Sequence, residues 1–201
     1  MAINSGLYPY TFSEYIKVTI PSMGFPCLFF MLVFLLSSCA TSKNNVGTSS
    51  TAHLIENVPF FPQEIYQCGP ASLAEVMQYW GIEISPEAIA KDIYSNSAKG
   101  TLSLDMVLYA QKNGLNVIQS NGNHNINYLK ENIDLGYPVI VMVDYGFWKY
   151  QQNHYMVIIG YNNNGIIAHS GKSHHKFIRE EDFLEIWKKA IFWALLIAPK
   201  Q

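Results

Sequence analysis

At 201 residues, 49% of them hydrophobic and 14% charged, the chain has the length of one medium domain or slightly more, and its composition excludes a disordered tail. Thirteen Lys and Arg against 15 Asp and Glu give a formal charge of -2, and no basic block is longer than Lys188-Lys189. Nucleic-acid binding by phosphate neutralisation therefore has no footprint here. So low a charged fraction with so much apolar sequence points to a deeply buried core, a membrane-directed segment, or both.

The membrane-directed segment comes first. Met23 to Leu36 reads MGFPCLFFMLVFLL, fourteen residues without a charge. A spanning helix wants about 20 apolar residues and a signal-peptide core about 7 to 15, so the shorter assignment applies. Leu36-Ser37-Ser38-Cys39 follows at once and resembles the bacterial lipoprotein signal, in which the Cys becomes the lipidated first residue of the mature chain. The resemblance implies a signal peptide over 1–38, with Met23 as an alternative translation start, and lipid on Cys39. With Ala40 rather than Asp after that Cys, it also implies a chain anchored in the cell envelope, at the outer membrane facing the periplasm. ATSKNNVGTSST, from Ala40 to Thr51, has almost nothing to bury, so 39–52 is expected to be a flexible tether and 53–201 one folded domain.

Cys27 lies in the signal and Cys39 would carry lipid, which leaves Cys68 as the only thiol of the mature domain and excludes a disulfide within it. Val58 to Phe61 reads as a short strand or extended segment stopped by Pro62. After Cys68-Gly69-Pro70, Leu73, Val76, Met77 and Trp80 recur at helical spacing up to Gly81. Pro70 suits a first helical turn. Cys68 then stands at the mouth of the helix, where free N–H groups and the dipole favour a thiolate. Phe60, Phe61, Tyr66, Tyr79 and Trp80 are read as core and docking aromatics rather than a ligand groove.

Further along, Ser85-Pro86 opens a short helix to about Asp92. Ser103 caps another to Asn113, with Leu104, Val107, Leu108 and Gln111 as its spaced positions and Gly114 as its stop. Leu115 to Gln119 is a strand, Ile126 to Ile133 a helix and Pro138 to Val143 an apolar strand. Tyr155 to Tyr161 and Gly165 to Ala168 flank Asn162-Asn163-Asn164 as a hairpin. Glu181 to Lys188 is a small helix and Ile191 to Ile197 a last strand. Early helices followed by strands predict an α+β domain, with N-terminal helices packed on an antiparallel sheet.

His154 stands at the start of the Tyr155 strand, 86 residues after Cys68. In a two-layer domain the two can face one another, and imidazole can deprotonate a thiol. Gln63-x4-Cys68-Gly69-Pro70-Ala71 with His154-Tyr155-x-Val157-x-x-Gly160-Tyr161 resembles the C39-like cysteine peptidases, a branch of the papain-like fold, and VPFFPQ points to the lipoprotein subgroup. The resemblance implies a thiol peptidase with Cys68 as nucleophile, His154 as general base and Gln63 as oxyanion donor. It also implies a peptide or protein substrate and no cofactor. Where that family often has Asp-Pro, this chain has Ser170-Gly171, so Ser170 takes the position that orients His154. Asp144 matches no such position and is read as a loop residue. His169, His174 and His175 lack the usual spacing of metal ligands and are read as a polar loop, with no metal expected. Two alternatives stay open: a Cys-dependent amidase or acyltransferase, which shares the first step, and a degenerate peptide-binding lipoprotein.

Overall fold

The computed structural model describes residues 52–63, 67–122 and 124–200. The expected signal peptide, Cys39 and the tether up to Thr51 lie outside the described residues, as does Tyr66. In chain order the elements are β1 (His53–Leu54), α1 (Cys68–Tyr79), α2 (Pro86–Ile93), β2 (Tyr94–Ser95), β3 (Gly100–Thr101), α3 (Ser103–Lys112), β4 (Leu115–Ser120), α4 (Ile126–Asp134) and β5 (Val139–Asp144). They continue with β6 (Asn153–Asn162), β7 (Gly165–Ser170), β8 (Ser173–Arg179), α5 (Glu180–Lys189) and β9 (Ala194–Pro199). Among the described residues no helix is long and apolar enough to cross a membrane.

The main sheet runs β4-β9-β5-β6-β7-β8, every pair antiparallel, and β1 joins the far half of β6 where β5 has ended. Val139, Ile140, Val141 and Val143 in β5 and Met156 to Ile159 in β6 have no exposed surface. Such continuous apolar runs mark strands covered on both faces. β7 pairs His169 with Val157, and the His169 ring meets Glu75 of α1, so Val157 and Tyr155 face the layer of α1, α2 and α3. Past a bulge at Ile158/Gly160, Tyr161 pairs with Ile166 on the opposite face, where its hydroxyl reaches Asp134 of α4. Lys130 of α4 then holds Glu180 of α5 at 3.1 Å. The N-terminal helices thus pack on the antiparallel sheet as expected, and α4 and α5 cover its other side.

Local chemistry explains most boundaries. Ser85 Oγ accepts the Ala88 N–H at 3.2 Å as the cap of α2. Gly81, at φ +83, follows α1 as its stop. Tyr79 and Trp80 dock that end on the sheet side, through Tyr79 hydroxyl to Gly136 O (2.9 Å) and Trp80 Nε1 to Ile197 O (2.8 Å). Two expectations need correction. Ser103 is not a cap, since α3 has no side-chain cap and the Ser103 hydroxyl bonds Tyr155 Oη at 2.8 Å. That anchor turns Met106, Tyr109 and Ala110 inward and leaves Leu104 and Leu108 exposed. The second is that β8 occupies much of the stretch read as a polar loop, whereas Val58 to Phe61 forms no strand, in keeping with the extended-segment alternative.

Candidate active site

Cys68 is the first residue of α1, and that helix has no side-chain cap and no acid in its first turn. Its leading N–H groups are therefore free for another acceptor. The backbone N–H groups of Tyr155, on β6, and of Gly69 and Cys68, at the helix start, act on the sulfur and favour its anion. Gly69 is needed for close approach, since a Cβ there would stand 2.7 Å from Thr101 Cβ. Burial pushes the Cys68 thiol up from its ordinary value, against the pull of those three N–H groups. The helix terminus alone would favour a thiolate; desolvation outweighs it, and the resting sulfur is a thiol.

His154 precedes Tyr155, whose backbone N–H acts on the thiol. This is the end of β6 beyond the last β7 pair, Val157 with His169. The ring nitrogen His154 Nε2 lies 3.1 Å from Ser170 Oγ, which leaves Nδ1 as the nitrogen without that partner. Burial, with the charge of Lys176 as a second cause, pushes the imidazole down to about 4, so it is neutral at pH 7. Tyr145 packs its ring 5.9 Å from the imidazole.

Gln63 is buried and tied to the same place. Its backbone N–H donates to Gly171 O (2.9 Å), Gly171 N–H donates to its Oε1 (3.2 Å), and its Nε2 donates to Ser72 Oγ (3.4 Å). Ser72 lies one helical turn beyond Cys68, and Gly171 follows Ser170. The amide therefore bridges the thiol helix and the strand end that holds His154, with one Nε2 hydrogen left to donate. Gln67, a second amide next to Cys68, is the N-cap residue of α1 and makes no side-chain cap bond.

Asp144, expected in a loop, is instead the buried last residue of β5, paired with Asn153, because its Oδ1 closes the loop beyond it by accepting the N–H groups of Gly146 and Gln152, each at 2.7 Å. The loop so closed exposes Phe147, Trp148 and Tyr150 beyond Tyr145. A second polar pair was not foreseen. Glu75, one turn past Ser72 on α1, is fully buried with His169, Oε2 to Nδ1 at 3.1 Å, and its Oε1 accepts the Phe61 N–H at 3.0 Å. Desolvation pushes the Glu75 carboxyl up, and the His169 and Phe61 bonds oppose it. A Glu in the middle of an otherwise apolar helix face was the available signal.

The sequence matches the Peptidase C39 like family over residues 55–193. Among solved structures, a Bacillus anthracis protein described as a C39-like peptidase has a TM-score of 0.64 at 16% identity, covering 75% of this chain and 98% of that one. The peptidase domain of Streptococcus ComA, a bifunctional ABC transporter of a quorum-sensing pathway, has a TM-score of 0.59 at 29% identity, covering 71% and 99%. A double-glycine motif protease from an AMS/PCAT transporter, in complex with its leader peptide, has a TM-score of 0.57 at 19% identity, covering 74% and 95%. No curated protein matches the sequence. With the family match spanning most of the chain and the fold shared with these peptidase domains, the chain belongs to the Peptidase C39-like family and has its papain-like α+β fold.

Proposed function

We propose that the chain is a lipid-anchored cysteine peptidase that hydrolyses peptide bonds with Cys68 and His154. One observation carries the reading. A thiol stands first in an uncapped helix and feels the backbone N–H beside His154, whose ring is held through Nε2 by Ser170 at 3.1 Å. In the proposed cycle His154 Nδ1 takes the thiol proton as sulfur attacks the carbonyl carbon. The Cys68 N–H and the remaining Gln63 Nε2 hydrogen stabilise the oxyanion. The imidazolium gives its proton to the leaving amine, then the neutral ring activates water to release the acyl group. A peptide as substrate is supported by the leader peptide bound to one structural relative.

Anchoring through Cys39, and with it the lipoprotein subgroup and a site at the outer membrane facing the periplasm, rests on the apolar run ending in Leu36-Ser37-Ser38-Cys39. Ser170 favours a second reading, a degenerate peptide-binding lipoprotein, because a hydroxyl stabilises imidazolium less than a carboxylate does.

The deciding experiment is capture by a Cys-directed acylating peptide probe together with cleavage of a peptide library. Wild type is expected to acylate and cleave, Cys68→Ala to do neither, and His154→Ala to lose nearly all turnover. Wild type that neither acylates nor cleaves would favour the binding reading, and cleavage by folded Cys68→Ala would end the thiol mechanism. Intact mass of detergent-extracted protein tests the anchor: lipid on a chain beginning at Cys39 is expected in wild type and lost in Cys39→Ala.

A further inference from the structure

Three imidazoles meet on the β7–β8 hairpin, and the proposed catalytic cycle uses none of them. Donor atoms of His169, His174 and His175 all lie within 4.8 Å of one another. The pairing of the two strands explains the cluster. Ala168 pairs with Lys176 and Ser170 with Ser173, so His169 alone opposes both His174 and His175 across a bulge. Neighbouring residues on a regular strand point to opposite faces. Here His175 has φ 53, and the rings of His174 and His175 instead stack at 3.7 Å, with His169 4.7 and 5.5 Å from them.

The second observation concerns His169. It has no exposed surface, its Nδ1 is committed to the Glu75 carboxylate at 3.1 Å, and its Nε2 is buried without a hydrogen-bond partner. An imidazole that donates Nδ1–H to a carboxylate presents a lone pair at Nε2, and a carboxylate–histidine pair of this kind is how proteins orient and strengthen a metal-binding imidazole. Phe60 packs 5.1 Å from His169 and 5.2 Å from His174, an apolar wall on the cluster. A buried orphan acceptor needs a partner.

We propose that His169, His174 and His175 form a three-imidazole site for a divalent late transition ion such as Zn²⁺, with Glu75 orienting His169. Zn–N bonds of about 2.0 to 2.1 Å in a tetrahedron put ligand nitrogens about 3.4 Å apart, so the donors must close from their present spread. His174 and His175 are exposed and can rotate, while His169 is fixed by Glu75. Three protein ligands leave a fourth position for water. Cys68 is not a ligand, in contrast to a zinc cluster built around the thiol. The ion would fasten both strands of the hairpin beside Ser170, with α1 joined to it through Glu75.

The test is a Zn²⁺ titration of the tag-free full-length chain after EDTA treatment, read by competition with a chromophoric chelator and repeated with Co²⁺ for its visible absorption bands. One ion per chain is expected, unchanged in Cys68→Ala and at least tenfold weaker in the surface double variant His174→Gln/His175→Gln. Glu75→Gln should lose roughly ten- to a hundredfold in affinity. The surface double variant does not disturb the core, so it stays decisive if the Glu75 variant does not fold. Absence of stoichiometric binding in wild type would overturn the proposal. So would binding that survives the double His variant or disappears in Cys68→Ala.

Discussion

Ser170→Asp puts a carboxylate where Ser170 Oγ now sits, 3.1 Å from His154 Nε2 on a residue only 5% exposed. Opposite charges about 4 Å apart at an effective dielectric of about 20 attract by about 4 kcal/mol, or about 3 pKa units. Desolvation of the new carboxylate opposes this, so a net rise of about one to three units is expected. His154, now held at about 4 by burial and by Lys176, would then titrate between about 5 and 7. The sign is fixed by the charge states: the carboxylate stabilises imidazolium, so the acid limb of the kcat/KM profile moves to higher pH. The thiolate–imidazolium form also gains weight at the expense of the neutral pair. Alkylation of Cys68 by iodoacetamide at pH 7 should accelerate by up to about tenfold for each unit of imidazolium stabilisation that reaches the ion pair. The assay is alkylation and peptide cleavage from pH 3 to 9, with an NMR titration of the His154 ring in the same variant. A folded Ser170→Asp protein in which His154 still titrates near 4 would refute the reasoning, because residue 170 would then not act on the imidazole charge. Ser170→Ala, which removes only the hydroxyl, should slow hydrolysis about tenfold, close to 1.4 kcal/mol in the barrier.

Because His154 is held at about 4 in the fold against an ordinary 6.5, the unfolded chain takes up this proton first. Stability contributed here is therefore present above pH 6.5 and lost as pH falls toward 4, by at most about 3 kcal/mol; denaturant melts of wild type and His154→Gln should diverge over that window. Glu75→Ala leaves His169 buried without its carboxylate and should cost roughly 3 to 5 kcal/mol in the same melts, whereas a loss below about 1 kcal/mol would mean the pair is not closed in solution. Gly146→Ala places a Cβ against the Tyr150 carbonyl oxygen and 2.7 Å from Asp144 Oδ1, so the loop must open. A loss of about 1 to 3 kcal/mol and a changed environment for Tyr145 are expected, the latter read by the ring signals of Tyr145 and His154.

The thiol helix was legible because its signals are local: a Gly-Pro start, four apolar residues at helical spacing and a stopping glycine. β5 and β6 were legible for the same reason, as runs of apolar residues between turns. What escaped depends on pairing across the chain. SHHKFIR has no apolar alternation, since β8 is an exposed edge strand whose place is set by its ladder to β7. The inward face of α3 is chosen by the Ser103–Tyr155 bond, a contact 52 residues apart in sequence. Glu75 and His169 are 94 residues apart, and only the register of β7 on β6 brings that imidazole under the helix. Cys68 and His154 carried their own motifs, but the protonation state of the pair did not. The balance between three N–H groups and desolvation is a property of the packed site.

β6 has one further consequence, for reach. His154 stands at its first turn of pairing, while β1 joins it at Gly160 and Tyr161, so the chain comes into the fold at the other end of the same strand. At about 3.3 Å per residue the two ends are roughly 20 Å apart. His53 and Leu54 thus lie at the end of β6 remote from His154. A load applied through β1 would pull first on its two pairs with Gly160 and Tyr161, and most of the length of β6 separates those pairs from His154.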